Sequence, residues 1–257
     1  MSQLIRFSFP LSPRMQAFLH LRDALACLEE ANADGQPYIW LQACADLHTS
    51  LFGEQGRRAG LSDVTALLAS MQLHLDALAG EHPQYCEQIM RSCATLERHE
   101  KNLRGGVEAA MGLLSSDALI HAWLNGLKKH DWLGHQSHMP HALHTLWANT
   151  ERRQGLHDAL RNLNEAVISL HGMLHDYVGW EQRSATGGTD NIRLDRGRDN
   201  GLLIIGLSAE QVGAGLVPDV SGNHMLIRLR FQSWLPGKPA TPAVEDVAYQ
   251  SMLVPIA

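Results

Sequence analysis

Five histidines fall within eighteen residues of HDWLGHQSHMPHALHTLW, at His130, His135, His138, His141 and His144. Imidazoles at this density raise the question of a metal centre. A helical zinc pair needs ligands at i and i+4 that converge on one point, as in HExxH, and that motif is absent. Steps of three could place His138, His141 and His144 on one helical face, but Pro140 pushes the residue before it, Met139, out of helical backbone. The spacing therefore predicts a helix that opens at Pro140 with His144 and Trp147 on one side, and loop imidazoles at His135 and His138. The alternative is a metal-binding protein or metal-dependent hydrolase built on His135, His138 and His141 with Asp131.

Other reactive constellations are thin. The chain has no GxSxG, no GxxxxGK[ST] and no GxGxxG after an expected strand. GGTDNIRLDRGRDNG holds glycines and arginines but leads towards a strand rather than a helix, so it reads as a loop and not a phosphate cradle. Asp195 and Asp199 lie in it without apolar neighbours to split their pKa values, which makes them solvated charges. The four cysteines, Cys27, Cys44, Cys86 and Cys93, form no CxxC pair and read as buried, reduced thiols. The expectation is a protein that is not an enzyme and needs no cofactor or metal.

Cationic residues are the remaining source of recognition. Most basic clusters, LKKH at 127–130, ERRQ at 151–154 and RHEKNLR at 98–104, are ordinary solvated faces. Arg228 and Arg230 differ: in MLIRLRF, Ile227, Leu229 and Phe231 alternate with Leu226, Arg228 and Arg230, so a strand there turns one face to the core and presents two guanidinium groups on the other. A rigid pair of this kind suits carboxylates. Trp180 and Trp234 beside the strand region raise a weaker idea, a carbohydrate-binding β module.

These residues need elements to hold them. The 257 residues are 45% apolar with a formal charge of −6, enough for a sizeable core and unsuited to general nucleic-acid binding. Residues 181–257 carry seven Lys/Arg against eight Asp/Glu, so the acidity lies in the first 180 residues. No apolar run approaches the roughly 20 residues that span a bilayer, and MSQLIRFSFP lacks a signal peptide's pattern, so a cytoplasmic protein without membrane insertion is expected. Helical periodicity dominates up to residue 180. It predicts a first helix capped by Ser12 with Pro13 in its first turn, then helices near 37–52, 61–79 (capped by Ser62), 83–104 (stopped by Gly105–Gly106), 115–129, 140–149 and 151–178. After Trp180 the pattern changes. EQRSATGGTDN reads as loop, and short strands are expected at 202–207, 225–231 and 247–254, joined by loops such as VPDVSGN and LPGKPATP. LIRFSF alternates too and fits an added edge strand. The fold class is α+β: an α-helical bundle domain over 10–180, then a small antiparallel β-sheet domain over 181–257 that residues 3–9 can join.

Three stretches resemble one known family. FSFPLSPRMQAFLHLRDALACL is similar to the opening of the ZapD (YacF) cell-division family, with Pro10, Leu11, Met15, Leu19, Leu21 and Leu28 in matching places. VPDVSGNHMLIRLRF resembles that family's turn and basic strand through Pro218, Val220, Ser221, Gly222, Arg230 and Phe231. MPHALHTLW matches at Pro140, Leu143, His144 and Trp147, which leaves the other histidines of the run as local embellishment. The similarity covers nearly the whole chain and is weakest between residues 30 and 110.

The resemblance implies a cytoplasmic, homodimeric adaptor at the mid-cell division ring that binds the C-terminal tail of FtsZ and bundles its filaments. Relatives tend to place arginine at the positions of Gln16, His20 and Leu226. Here Arg230 keeps its place, Arg228 is added beside it, and Arg14 and Arg22 stand on the first helix, so the implied tail-binding residues are Arg230, Arg228, Arg14, His20 and Arg22. His20 carries charge only when protonated.

Overall fold

The computed structural model describes residues 4–52, 59–81, 83–128, 139–176, 179–194, 200–222 and 225–255. The fold is α+β, with helices first and antiparallel sheets last, and the N-terminal strand joins a sheet formed by the end of the chain. It divides into two compact units: Ala17–His171, and Met1–Gln16 together with Gly172–Ala257.

The helical unit is organised by leucines at three- and four-residue steps. α1 (Pro13–Ala33) buries Phe18, Leu21, Leu25 and Leu28, following its own periodicity. α2 (Pro37–Phe52) buries Trp40, Leu41, Cys44, Leu47 and Leu51 and touches α3 (Ala59–Glu81), α4 (Cys86–Ser116), α5 (Ala118–Lys128) and α6 (Met139–Trp147). α7 (Thr150–Asp176) adds Leu156, Leu160, Leu163, Val167 and Leu170.

Several expected boundaries move. Ser62 does not cap α3, which starts at Ala59 and brings Gly60 so near the end of α2 that a Cβ there would sit 2.3 Å from the Ser50 carbonyl oxygen. Pro83–Tyr85 form a single 3-10 turn before α4. Gly105–Gly106 do not stop α4, which continues to Ser116. Each interior glycine costs about 1 kcal/mol, and the buried run Leu103, Val107, Ala110, Met111 and Leu114 outweighs that cost. What ends α4 is Asp117, whose backbone is extended and whose Oδ1 accepts from the amides of Leu119 and Ile120 to start α5. α6 opens one residue early, at Met139. Of the cysteines, all free, Cys44 is buried while Cys27, Cys86 and Cys93 are half-exposed.

The β unit is two antiparallel sheets packed on one core. The first has the order β1-β4-β8-β2, with β1 at Leu4–Pro10, β2 at Glu181–Ala185, β4 at Asn200–Ser208 and β8 at Val247–Pro255. Phe7 opposes Ile205, and Leu203 lies opposite Leu253. The second has the order β3-β6-β5, formed by Thr189–Arg193, Leu226–Ser233 and Leu216–Gly222, with the short β7 (Thr241–Pro242) also on β6. Leu203, Ile205 and Leu207 from one sheet share an apolar cluster with Ile192, Ile227, Leu229 and Phe231 from the other. Ser12 caps α1 as expected, its Oγ accepting from the Met15 amide.

Two segments expected as loops are strands. EQRSATGGTDNIR forms two strands, β2 and β3, one in each sheet, joined by a tight turn over Thr186–Thr189 in which Gly187 (φ 55°) and Gly188 (φ 70°) adopt left-handed backbone. Its strands are mostly polar because they expose one face, so apolar alternation was a weak signal. VPDVSG is β5, paired residue by residue with β6. Among the described residues no helix is long and apolar enough to cross a membrane.

Candidate functional site

The site begins with the pleat of β6. Ile227, Leu229 and Phe231 are buried between the sheets, which forces Leu226, Arg228 and Arg230 onto the outer face. Both neighbouring strands extend that face. On β5, Asp219 lies opposite Arg230 and Ser221 opposite Arg228. On β3, Thr189 and Asn191 face the same arginines, and Arg193 stands opposite Leu226. Arg193, in a stretch whose composition resembles a loop, is therefore a third guanidinium on the face, diagonal to Arg228.

Asp219 is the acid set against this charge, and it is engaged: its Oδ2 accepts from Gln232 Nε2 at 3.1 Å, while Gln232 Oε1 accepts from the Trp234 indole N–H at 3.1 Å. Trp234 is 57% exposed. Met225 and Leu226 are exposed at the opposite end of β6. Arginines flanked by accessible apolar side chains can hold carboxylates and hydrocarbon at once.

Behind this face the second sheet is tied to the first by ionised groups. Arg183 Nε on β2 donates to Asp190 Oδ2 on β3 at 2.9 Å and to Tyr249 Oη on β8 at 3.1 Å, and Tyr249 donates to the same carboxylate oxygen at 2.6 Å. Burial alone would raise the Asp190 carboxyl, but the hydrogen bonds from Tyr249 and Arg183 outweigh it and hold it below the usual range. Burial, reinforced by the Asp190 charge, pushes the Tyr249 phenol up. Asp190, opposite Leu229, thus points inward and leaves the outer arginines uncompensated by it.

The helix residues fall differently. Arg14 is exposed in the first turn of α1, within the β unit. His20 and Arg22 belong to the helical unit. His20 is exposed near Asp46 of α2, whose carboxyl burial holds above its usual range against the opposing Gln42 hydrogen bond and His20 ring. Arg22 is half-buried and paired with its neighbour Asp23 at 2.8 Å.

His130, Asp131, His135 and His138 lie outside the described residues, as do Asp195 and Asp199. His141 and His144 are exposed on α6, which buries Leu143. Trp147 is half-buried, packed edge-on to Trp40 at 5.6 Å with Arg153 over its ring at 4.2 Å, so it does not share His144's exposure. Among the described residues no group of three or more His, Cys, Asp or Glu is placed to hold a metal ion. The ERRQ cluster is structural, with Arg152 bonded to Asp117 and Arg153 to Asn32. Trp180 packs on Gly206 with Arg6 at 5.6 Å. Scanned against protein-family models the chain matches none, and no curated protein matches it.

Proposed function

We propose that this protein is a non-enzymatic adaptor of the ZapD type that binds the C-terminal tail of FtsZ and, as a homodimer, cross-links FtsZ filaments in the cytoplasm at the division ring. The observation that carries the reading is the outer face of β6, where Arg228 and Arg230 stand exposed on a buried, rigid strand with apolar side chains beside them. A tail that is disordered and mixes acidic with apolar residues pays an ordering cost on binding, so a preorganised cationic and apolar surface captures it at modest affinity. Two such sites in a two-fold dimer convert modest single contacts into durable cross-links. Arg14, in the same unit as β6, is auxiliary on this reading, while His20 and Arg22 belong to the helical unit, where Asp23 already engages Arg22.

The test is charge reversal. In the double variant Arg228→Glu/Arg230→Glu, co-sedimentation with FtsZ polymers falls at least about tenfold, since each charge-assisted contact contributes roughly 1.5–3 kcal/mol. Both side chains are exposed, so the circular dichroism spectrum is unchanged. Undiminished bundling by the folded double variant removes the site.

A further inference from the structure

We infer that the outer face of the second sheet is a directional strip: Arg193 with Arg228 receives the carboxylates of an extended peptide at one end, and Trp234 receives an apolar side chain at the other. The inference rests on the tail-binding reading and deepens it by naming two residues and an orientation.

Charge is distributed unevenly along β6. At its start, Arg193 on β3 lies opposite Leu226 and diagonal to Arg228, a cross-strand separation within reach of long side chains. Leu226, 39% exposed, lies opposite Arg193 and two residues before Arg228 on the same face, so an accessible apolar side chain adjoins both arginine positions. Midway, Arg230 is directly opposite Asp219, whose negative charge offsets it. A peptide carboxylate is therefore drawn to the Arg193–Arg228 end and repelled from the Asp219 position.

Towards the far end the surface becomes neutral and aromatic. The Trp234 indole N–H is bound to Gln232, which is bound in turn to Asp219, so the ring is held in place while 57% of the residue stays accessible. Leu235, 40% exposed, follows it, and Pro242 of β7 lies opposite Gln232. From Leu226 to Trp234 the strip spans nine residues, roughly 25–30 Å at strand spacing, which an extended segment of about eight residues covers. The occupant is a peptide whose acidic residues are separated from an aliphatic or aromatic anchor. A uniformly acidic peptide would leave Trp234 unused and meet Asp219.

The experiment uses the full chain and a fluorescent FtsZ tail peptide, with affinity measured by anisotropy at several salt concentrations. Arg193→Gln weakens binding about threefold to tenfold and flattens the salt dependence, because one screened cationic contact is lost. Arg193→Lys restores most of that slope. Trp234→Ala weakens binding by a similar factor with the slope unchanged, because the lost contact is apolar. Thermal unfolding of each variant accompanies the titration. If Arg193→Gln and Trp234→Ala, both folded, bind as the parent does while Arg228→Glu/Arg230→Glu does not bind, the directional strip is wrong and the tail-binding reading stands. If all three variants bind as the parent does, both fall.

Discussion

His99, on α4, is 4% exposed, and its Nδ1 has no hydrogen-bond partner among the described residues. Burial and the neighbouring Arg98 lower its pKa, against an opposing pull from Glu165 on α7. The folded protein therefore holds this imidazole neutral at pH values where the unfolded chain, with a pKa of about 6.5, takes up a proton. Between those two pKa values the unfolded state binds more protons, so the contribution of His99 to stability decreases as pH falls below about 6.5. Urea unfolding at pH 7.5 and at pH 5.5 checks this: His99→Leu loses less stability between the two pH values than the parent does. An equal loss in both would show that the ring is hydrated in the folded protein. The Asp190 carboxylate, held below its usual range by the hydrogen bonds from Tyr249 and Arg183, contributes stability that is present above the ordinary carboxylate range and lost as pH falls through its lowered folded pKa.

At the scale of elements, the turn that carries the chain from β2 in one sheet to β3 in the other decides whether Arg193 reaches the site. Gly188 has φ +70°, and a Cβ there would lie 2.3 Å from the Ala243 carbonyl oxygen, so Gly188→Ala both strains the turn and displaces the chain behind it. The left-handed backbone alone costs about 1–2 kcal/mol. The expected outcome is a melting temperature lowered by several degrees together with weaker tail binding. Gly112, in the exposed part of α4, is the contrast: nothing lies within 4 Å of an added Cβ and its backbone is helical, so Gly112→Ala stabilises by about 0.5–1 kcal/mol. Parallel thermal melts of the two variants separate strain at a turn from the cost of a glycine in a helix.

For the molecule as a whole, a charge of −6 and a cationic strip are compatible because binding is decided by local charge. The acidic remainder disfavours association with other polyanions, while Arg193, Arg228 and Arg230 supply local positive charge on the proposed strip. If filament bundling depends on two weak tail contacts per dimer, free tail peptide in excess dissolves preformed bundles by competing at each site. Turbidity falling with added peptide, and unaffected by a peptide whose acidic residues are replaced by amides, is the expected result. Bundles that persist at saturating peptide would place cross-linking on a surface other than β6.

Helical steps in residues 13–176 and the alternation in LIRFSF and MLIRLRF foretold the α+β order, the added N-terminal strand and the outward turn of Arg228 and Arg230. These features were legible because burial repeats locally, every two residues in a strand and every three or four in a helix. The polar strands β2 and β3, the strand VPDVSG and the passage of α4 through Gly105–Gly106 were not legible, because each depends on a partner distant in the chain. The same holds within the site. Two arginines two apart on a strand announce a shared face by themselves, whereas Arg193 joins them only through the pairing of β3 with β6. Asp219 against Arg230, Asp190 turned inward to Arg183 and Tyr249, and Asp46 beside His20 were likewise set by tertiary packing. Sequence alone determined which residues a strand must show to solvent, since the pleat is a property of the backbone. The charges that stand next to them follow from strand pairing and helix packing, which are contacts between segments far apart in the chain.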